Sequence, residues 1–314
     1  MLDNVLEIAL IVSLIAGTIR ITTPILFAAL GELVAERGGV LNLSVEGTML
    51  TGALAGFLVA YQSGSLWLGV LAAMIAGGLL SLLMAFLVIT LKVDQIVSGL
   101  SLNIFAAGFS FYIFRVVFSN VATENLPNIR IFEVFRLPFL SNIPVIGEAF
   151  FAHHMLTYVA VLLAPAISLF LYRTKYGLTL RCLGENPRAV DMKGVNVSLY
   201  QYLATIFGGI MAGLGGGFLT LASAGLFVPA IAAGRGWIAI AIVIFGNWKP
   251  INILLAALFF GFLDSFQLQI QGIGVQLPYQ LLLATPYILT ILALVVSRHR
   301  SGMPLALGVP YIRE

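Results

Sequence analysis

A cluster of charged residues interrupts the apolar sequence at positions 31–47, GELVAERGGVLNLSVEG. An acid at the centre of a bilayer costs about 2.5–3.5 kcal/mol on insertion scales, so such groups must lie at a surface, pair, or face water. We expect Glu36 and Arg37 to mark the cytoplasmic end of an apolar helix. Glu32 lies one turn further in, where helix packing competes with a role in a proton- or cation-coupled pathway.

Polar side chains in two further apolar stretches allow the same two interpretations. Asp264 follows a long uncharged run and precedes three closely spaced glutamines. Asn103 and Gln95 lie together in an earlier apolar segment. A hydrogen bond to a neighbouring helix is favoured for these residues over the lining of a water-filled pathway.

Spacings typical of an enzyme site are missing from the sequence. No lysine is followed by serine or threonine, so there is no P-loop for ATP. There is no HExxH motif, Cys182 is the one cysteine, and the three histidines are not grouped with acids. We therefore expect no catalytic residues, no cofactor and no metal site, and the chain is not predicted to be an enzyme.

The stretch RCLGENPRAVDMKGV, residues 181–195, has the start and stop signals of a short polar helix. Asn186 is a favoured N-cap residue, and Pro187 suits the first helical position, where its missing N–H is no loss. Gly194 suits the left-handed position that ends a helix. We therefore predict a two-turn helix that presents a surface to another molecule.

The composition is that of an integral membrane protein. Hydrophobic residues make up 60% of the chain and charged residues 9%, against about 25% charged in an ordinary soluble domain. The apolar runs are continuous and do not alternate, which favours helices over a barrel. We predict an all-α, polytopic membrane helical bundle of about ten transmembrane helices. The predicted spans are 5–19, 21–35, 45–60, 66–91, 95–114, 155–172, 200–222, 235–247, 251–270 and 280–297.

The distribution of basic residues predicts the orientation of this bundle. If all ten spans cross and the N-terminus is inside, the inner loops hold eleven basic residues and the outer loops hold five. This asymmetry favours both termini in the cytoplasm, within a single domain of residues 1–314. The loop at 173–199 is then cytoplasmic, and the insert at 115–154 is an extracytoplasmic interfacial element or docking surface. We expect His153 and His154 to lie in a surface loop of this insert.

Small residues predict where helices approach closely. Gly209, Gly213 and Gly217 form a GxxxGxxxG stripe, and Gly52 with Gly56 repeats the pattern earlier in the chain. Such stripes favour static helix packing in lipid. A smooth stripe of this kind could also let helices slide during a conformational change.

Two motifs resemble one family of transport proteins. GELVAERGGVLNLSVEGTMLTGALAGF and LYRTKYGLTLRCLGENPRAVDMKGV, some 120 residues apart, are similar to permease subunits of bacterial ABC importers for nucleosides and simple sugars, of the ribose and galactose type. This branch is related to the branched-chain amino acid permeases. The resemblance continues through IVIFGNWKPINILLAALFFGFLDSFQLQIQ to the basic C-terminus. It implies a multi-pass protein of the bacterial plasma (inner) membrane.

The resemblance also implies partners and residue roles. The partners would be a separate ATP-binding cassette ATPase subunit, an extracytoplasmic substrate-binding (lipo)protein, a second permease in a homo- or heterodimer, and membrane lipid, with no nucleic acid. The residues that would couple to the ATPase are Gly184, Glu185, Asn186, Pro187, Arg188, Ala189, Asp191 and Gly194. Val190 departs from the family pattern, in which alanine is commoner. The residues themselves, apart from the resemblance, predict pathway or helix-packing roles for Glu32, Asn103, Gly209, Gly213, Gly217 and Asp264.

The resemblance is stronger to nucleoside than to ribose permeases, on the stretch YRTKYGL before the coupling motif. The predicted pathway lacks a ring of charges, which suits a neutral polar solute. The alternative is an ion-coupled secondary carrier of a small neutral solute, driven through Asp264 and Glu32. Uptake by such a carrier would survive the loss of ATP and would collapse with the ion gradient.

Overall fold

A computed structural model describes residues 2–119, 127–136, 146–272, 288 and 302–312, with side chains described from Leu10 onward. This part of the chain forms eleven α-helices and one sheet of two short strands. The helices are α1 (Leu2–Arg37), α2 (Val45–Ser63), α3 (Leu66–Ala85), α4 (Gln95–Val117), α5 (Ile146–Phe151), α6 (Met155–Arg173), α7 (Lys175–Glu185), α8 (Pro187–Asp191), α9 (Val197–Phe218), α10 (Arg235–Phe245) and α11 (Pro250–Gly272). The strands are β1 (Val134–Arg136) and β2 (Ala152–His154).

The first helix corrects the predicted span count. Residues 5–19 and 21–35 were predicted as two spans, but α1 is one continuous helix of 36 residues, which contains Pro24. At 1.5 Å per residue this helix is about 54 Å long, so its two ends lie at opposite ends of the bundle. Arg37 ends α1 beside the C-terminal segment 302–312. The prediction that both termini lie in the cytoplasm is not confirmed by this arrangement.

Six helical stretches are long and apolar enough to cross a membrane. They are Leu10–Arg37, Leu66–Thr90, Gln95–Val117, Met155–Arg173, Val197–Ala224 and Pro250–Gln271. Two of them end in π-helical turns, at Phe86–Thr90 and Leu219–Ala224. The predicted span at 235–247 is the shorter helix α10, and the predicted span at 280–297 lies outside the described residues.

Helix α9 lies at the centre of the bundle, between α1, α2 and α3. The glycine stripe of α9 faces α3, so that a Cβ atom built on Gly213 would lie 2.3 Å from the carbonyl oxygen of Ala73. On Gly209 it would lie 2.1 Å from Oγ of Ser81, and on Gly217 it would lie 2.7 Å from the Ala73 Cβ. Gly52 brings α2 equally close to α9 at Gly213. Glycine therefore sets the spacing of three central helices.

The outer insert contains a departure from an all-α fold. Strands β1 and β2 pair antiparallel, with Val134 opposite His154 and Arg136 opposite Ala152. His153 and His154 are buried, at 5% and 8% exposure, so the predicted surface loop is wrong at these positions. Burial lowers the pKa of both imidazoles, and the nearby positive charge of Arg20 on α1 lowers it further.

Candidate functional site

The motif at residues 31–47 folds as the end of α1, a non-helical segment over residues 38–44, and the start of α2. We call residues 38–44 the connecting segment, and helix α4 holds it through one stripe of side chains. Oε1 of Gln95 accepts a hydrogen bond from the Leu41 N–H at 2.7 Å. Asn103, two helical turns further on, donates from Nδ2 to the Leu43 oxygen at 2.6 Å and accepts from the Gly47 N–H at 2.7 Å. Both polar atoms of the predicted residue Asn103 thus bind backbone.

The glycine between these two side chains permits the contact. Gly99 lies at the midpoint of the stripe, and a Cβ atom there would be 2.8 Å from the Leu43 Cβ and 3.0 Å from the Leu43 nitrogen. Backbone polar groups of a non-helical segment need partners when they are removed from water. Gln95, Gly99 and Asn103 are spaced four residues apart and therefore lie on one face of α4. The two amide side chains supply hydrogen-bond partners for the backbone of the segment, and the glycine leaves room for it.

Glu32 stabilises the same segment from the other side. Its Oε1 accepts a hydrogen bond from the Asn42 N–H at 2.9 Å. Asn42 Oδ1 in turn accepts from the Ser44 N–H at 3.0 Å, in an Asx turn that precedes α2. Glu32, Asn42 and Ser44 are at most 1% exposed. Within the described part of the chain, Glu32 Oε2 and Asn42 Nδ2 have no hydrogen-bond partner.

Glu46 joins the start of α2 to the start of α10. Its Oε1 accepts a hydrogen bond from the Gly234 N–H at 2.8 Å, and its Oε2 accepts from the Gly236 N–H at 2.7 Å. The first N–H groups of a helix have no intrahelical partner and carry a partial positive charge, which a carboxylate satisfies. We call the group Glu32, Asn42, Ser44, Glu46, Gln95 and Asn103 the polar centre.

The end of α1 is attached to the turn between α10 and α11. The Arg37 guanidinium donates to the Trp248 carbonyl oxygen, at 2.8 Å from its NH2 nitrogen. The Trp248 indole donates from Nε1 to Oε2 of Glu36. Asn247 and Trp248 are both in the left-handed region, with φ of 51° and 54°, which is costly for residues with side chains. The contacts with α1 hold this turn in an unfavourable conformation.

The predicted polar helix is present but shorter than two turns. Helix α8 covers Pro187–Asp191, with Pro187 in its first turn, and Asn186 Oδ1 accepts a hydrogen bond from the Ala189 N–H at 3.1 Å. Gly194 follows with φ of +77°. Among the predicted coupling residues, Glu185, Asn186, Arg188 and Gly194 are exposed. Met192, which the sequence did not single out, is 83% exposed and projects from the same turn.

Two residues of the predicted coupling motif are buried instead. Gly184 lies where three segments meet, since a Cβ atom there would be 2.5 Å from the Arg37 oxygen and 3.1 Å from the Pro304 Cβ. Val190, the departure from the family pattern, is 6% exposed and packs with Leu183 and Val197. Its extra bulk fills the core beneath α8. Beside α8, a cavity of about 500 Å³ is bordered by Arg181, Glu185 and Lys193, among others.

Asp264 lies apart from both groups, on α11. It is half-buried, and the Arg235 side chain interacts with it electrostatically. The hydrogen bonds that join α11 to α1 come from its neighbours: Ser265 Oγ donates to the Leu14 oxygen at 3.0 Å, and Gln269 Nε2 donates to the Leu10 oxygen at 2.6 Å. The structure therefore brings Glu32 and Asn103 together but does not bring Asp264 to them.

Comparison with known proteins places these motifs in a family. The family described as branched-chain amino acid transport system / permease component matches residues 14–294. The guanosine ABC transporter permease protein NupQ of Bacillus subtilis is 37% identical, over 98% of this chain and 99% of its own length. The nucleoside ABC transporter permease protein NupC of Lactococcus lactis is 35% identical, over 96% of this chain and 97% of its own length. The putative glucose ABC transporter permease protein TsgC13 of Haloferax volcanii is 38% identical, over 84% of this chain and 79% of its own length. No solved structure matches the chain.

Proposed function

Because the chain belongs to the family of permease components of branched-chain amino acid transport systems, we propose that it is the permease subunit of an ATP-binding cassette importer. It is a multi-pass membrane protein, with six helices long and apolar enough to span the bilayer. The observation that carries the proposal is α8, a capped helix whose polar residues are exposed at the end of an otherwise apolar bundle. ATP hydrolysis then takes place on a separate ATPase subunit.

The orientation of the bundle follows from its basic residues. The end that carries α8 holds the basic residues Arg37, Lys92, Arg173, Lys175, Arg181, Arg188, Lys193 and Lys249. The opposite end holds Arg20, Arg115, Arg130 and Arg136 in the described chain. An excess of lysine and arginine marks the cytoplasmic side. The α8 end therefore faces the cytosol, and the N-terminal end of α1 lies on the other side of the membrane.

The cytosolic surface of α8 is the ATPase docking site in this proposal. Glu185, Asn186 and Arg188 offer charge and hydrogen bonds, while Met192 offers a flexible apolar side chain that can enter a groove. The buried residues Gly184 and Val190 anchor the helix from beneath. Movement of the ATPase then displaces α8 as a unit and tilts the spans beside it.

The opposite surface receives the extracytoplasmic binding protein. All three residues of β1 are exposed, and Val134 and Phe135 are 49% and 50% exposed there. Apolar side chains beside Arg136 suit a transient docking surface. Residues 120–126 and 137–145 of the predicted insert lie outside the described residues. A second permease subunit, identical or related, completes the pathway.

The solute in this proposal is a nucleoside. NupQ and NupC, which carry guanosine and nucleoside in their names, match this chain over nearly its whole length, whereas TsgC13, named for glucose, matches over 84% of it. The carboxylates and amides of the polar centre mostly bind backbone groups, which leaves no ring of charge to select an ion. In this proposal Glu32 and Asn103 position the connecting segment. The stripe of Gly209, Gly213 and Gly217 packs α9 against α3.

Affinity purification in mild detergent tests the assembly, with mass spectrometry of the companions. We expect an ATPase subunit, a binding protein and a permease partner. The purified assembly, reconstituted in vesicles, should then import labelled guanosine only with ATP, and excess unlabelled glucose should not compete. Uptake that persists without ATP and collapses with an ion gradient would contradict the importer in favour of a carrier. ATP-dependent uptake of glucose but not guanosine would contradict only the nucleoside assignment.

A further inference from the structure

The C-terminal segment crosses the cytosolic end of the bundle and contacts four separate elements. We call residues 302–312 the C-terminal strap. The Gly302 N–H donates to Asn247 Oδ1, in the turn between α10 and α11. The Ala306 N–H donates to the Gly184 oxygen at 2.8 Å, at the end of α7. The strap thus begins at the turn that is also attached to the end of α1.

The second half of the strap contacts the connecting segment, residues 38–44, and α8. The Gly308 N–H donates to the Gly39 oxygen at 3.2 Å. The Tyr311 hydroxyl donates to Oδ2 of Asp191 at 2.8 Å. The Tyr311 ring also packs against the small core of Leu183, Val190 and Val197 beneath α8. The strap therefore joins the last residue of α8 to the first residues of the segment that the polar centre holds.

The strap compensates for the shortness of α8. A helix of five residues is too short to be stable alone, and residues 192–196 connect it to α9 without regular structure. Without further contacts, a displacement of α8 would change the conformation of residues 192–196 and would not move the neighbouring helices. Hydrogen bonds to α7, to Gly39 and to Asp191 make the group move together, because each fixes one segment relative to the next.

We propose that the C-terminal strap transmits the displacement of α8 to the connecting segment 38–44, with Tyr311 as the residue that positions α8 on the strap. The inference rests on the proposed importer function. Three strap contacts use backbone N–H groups and are indifferent to side-chain type, whereas the contact with α8 uses the Tyr311 side chain. The Tyr311 hydroxyl is therefore the group through which the link is broken without disturbing the rest of the strap.

Tyr311→Phe tests the proposal, since it removes the hydroxyl and keeps the ring. We expect solute imported per ATP hydrolysed to fall by a factor of about two to ten, which is the range that one ordinary, partly solvent-exposed hydrogen bond supports. The amount of ATPase that co-purifies should stay at the wild-type level. The matched control is Tyr112→Phe, the same chemical change on a 64% exposed side chain of α4. It should leave the ratio unchanged.

A second variant keeps the test valid if one substitution disturbs the fold. Asp191→Ala removes the acceptor, and the double variant with Tyr311→Phe should be no worse than Asp191→Ala alone, because both remove the same bond. Additive losses would contradict the link. A wild-type ratio in Tyr311→Phe would overturn it, and so would loss of ATPase from that complex, which would make the strap a docking element. A wild-type assembly without ATPase or ATP-dependent uptake would instead overturn the importer function itself, and the inference with it.

Discussion

The Glu46 carboxylate lies at the N-terminus of α10, where its Oε2 accepts a hydrogen bond from the Gly236 N–H at 2.7 Å. The two residues are 190 positions apart in the sequence. A Cβ atom on Gly236 would be 2.5 Å from the Glu46 Cα, so glycine permits the approach. One side chain therefore joins the first turns of α2 and α10 inside the bundle.

Replacement of Glu46 should weaken this junction according to how much of the contact is lost. Glu46→Ala removes two charge-assisted hydrogen bonds and should lower the free energy of unfolding by about 3 kcal/mol. Glu46→Gln keeps an acceptor but loses the charge, so it should lower the free energy of unfolding by about 1 kcal/mol. Thermal unfolding of the purified protein in detergent ranks the variants. Equal melting temperatures for Glu46→Ala and wild type would contradict the assignment.

Glycine contacts in α9 give a second prediction about the fold. A Cβ atom on Gly216 would be 1.8 Å from the Met49 carbonyl oxygen of α2. Gly216→Ala should therefore push the helices apart and cost about 1–3 kcal/mol. Gly108→Ala on α4 is the matched control, since nothing lies within 4 Å of its added Cβ. It should be neutral or stabilising by up to about 1 kcal/mol. The yield of monodisperse protein in size-exclusion chromatography distinguishes the two, and similar profiles for both would contradict the packing.

Local signals in the sequence predicted local features of the structure. The cap at Asn186, the first-turn proline at 187 and the left-handed Gly194 are present because each depends on its immediate neighbours. The continuous apolar runs predicted helices for the same reason. The break predicted between 5–19 and 21–35 falls at Arg20, and it was wrong because a helix can continue through one arginine, as α1 does.

Long-range partners could not be predicted from the sequence. Glu46 reaches Gly234, Glu36 reaches Trp248, and Asp191 reaches Tyr311, each across more than 100 residues. Nothing in composition or periodicity encodes such pairs. One signal was overlooked: Asn42 and Ser44 form the Asx turn before α2. Polar turn residues directly before a helix are typical of an N-terminus.

The buried residues His153 and His154, on strand β2 of the outer insert, predict that stability depends on pH. Burial, and then the Arg20 charge, lower the folded-state pKa of His153 below its usual value of about 6.5. The unfolded chain therefore binds more protons between the folded and unfolded pKa values, and stability is lost as the pH falls below about 6.5. His154 contributes in the same direction.

Melting temperatures at about pH 7.5 and pH 5.5 measure this effect. The wild-type protein should melt at a lower temperature at the acidic pH. A His153→Gln and His154→Gln double variant should lose part of that difference, since glutamine does not titrate. An unchanged difference in the double variant would place the acid sensitivity elsewhere in the protein.

The cap of α8 gives the prediction closest to function. Asn186→Ala with Pro187→Ala removes the Asn186 side-chain bond to the Ala189 N–H, worth about 1 kcal/mol, and the preset backbone of the first turn. A frayed α8 should still be docked through Glu185, Arg188 and Met192, which the variant keeps, but it should transmit displacement poorly. We expect ATP hydrolysis to continue while uptake of labelled nucleoside falls several-fold.

Met192 separates docking from transmission. Its side chain is 83% exposed, and it caps the end of α8 only through its backbone N–H, which bonds to the Arg188 oxygen. Met192→Ala keeps that N–H, so it should leave the helix intact and remove an apolar contact with the ATPase. An exposed apolar contact of this size is worth about 1–2 kcal/mol at the centre of an interface. We therefore expect less ATPase to co-purify with Met192→Ala, but normal uptake per ATP hydrolysed in the complexes that remain. If Met192→Ala and the cap variant failed in the same way, α8 would not act as a rigid element, because its surface and its caps would then serve one purpose.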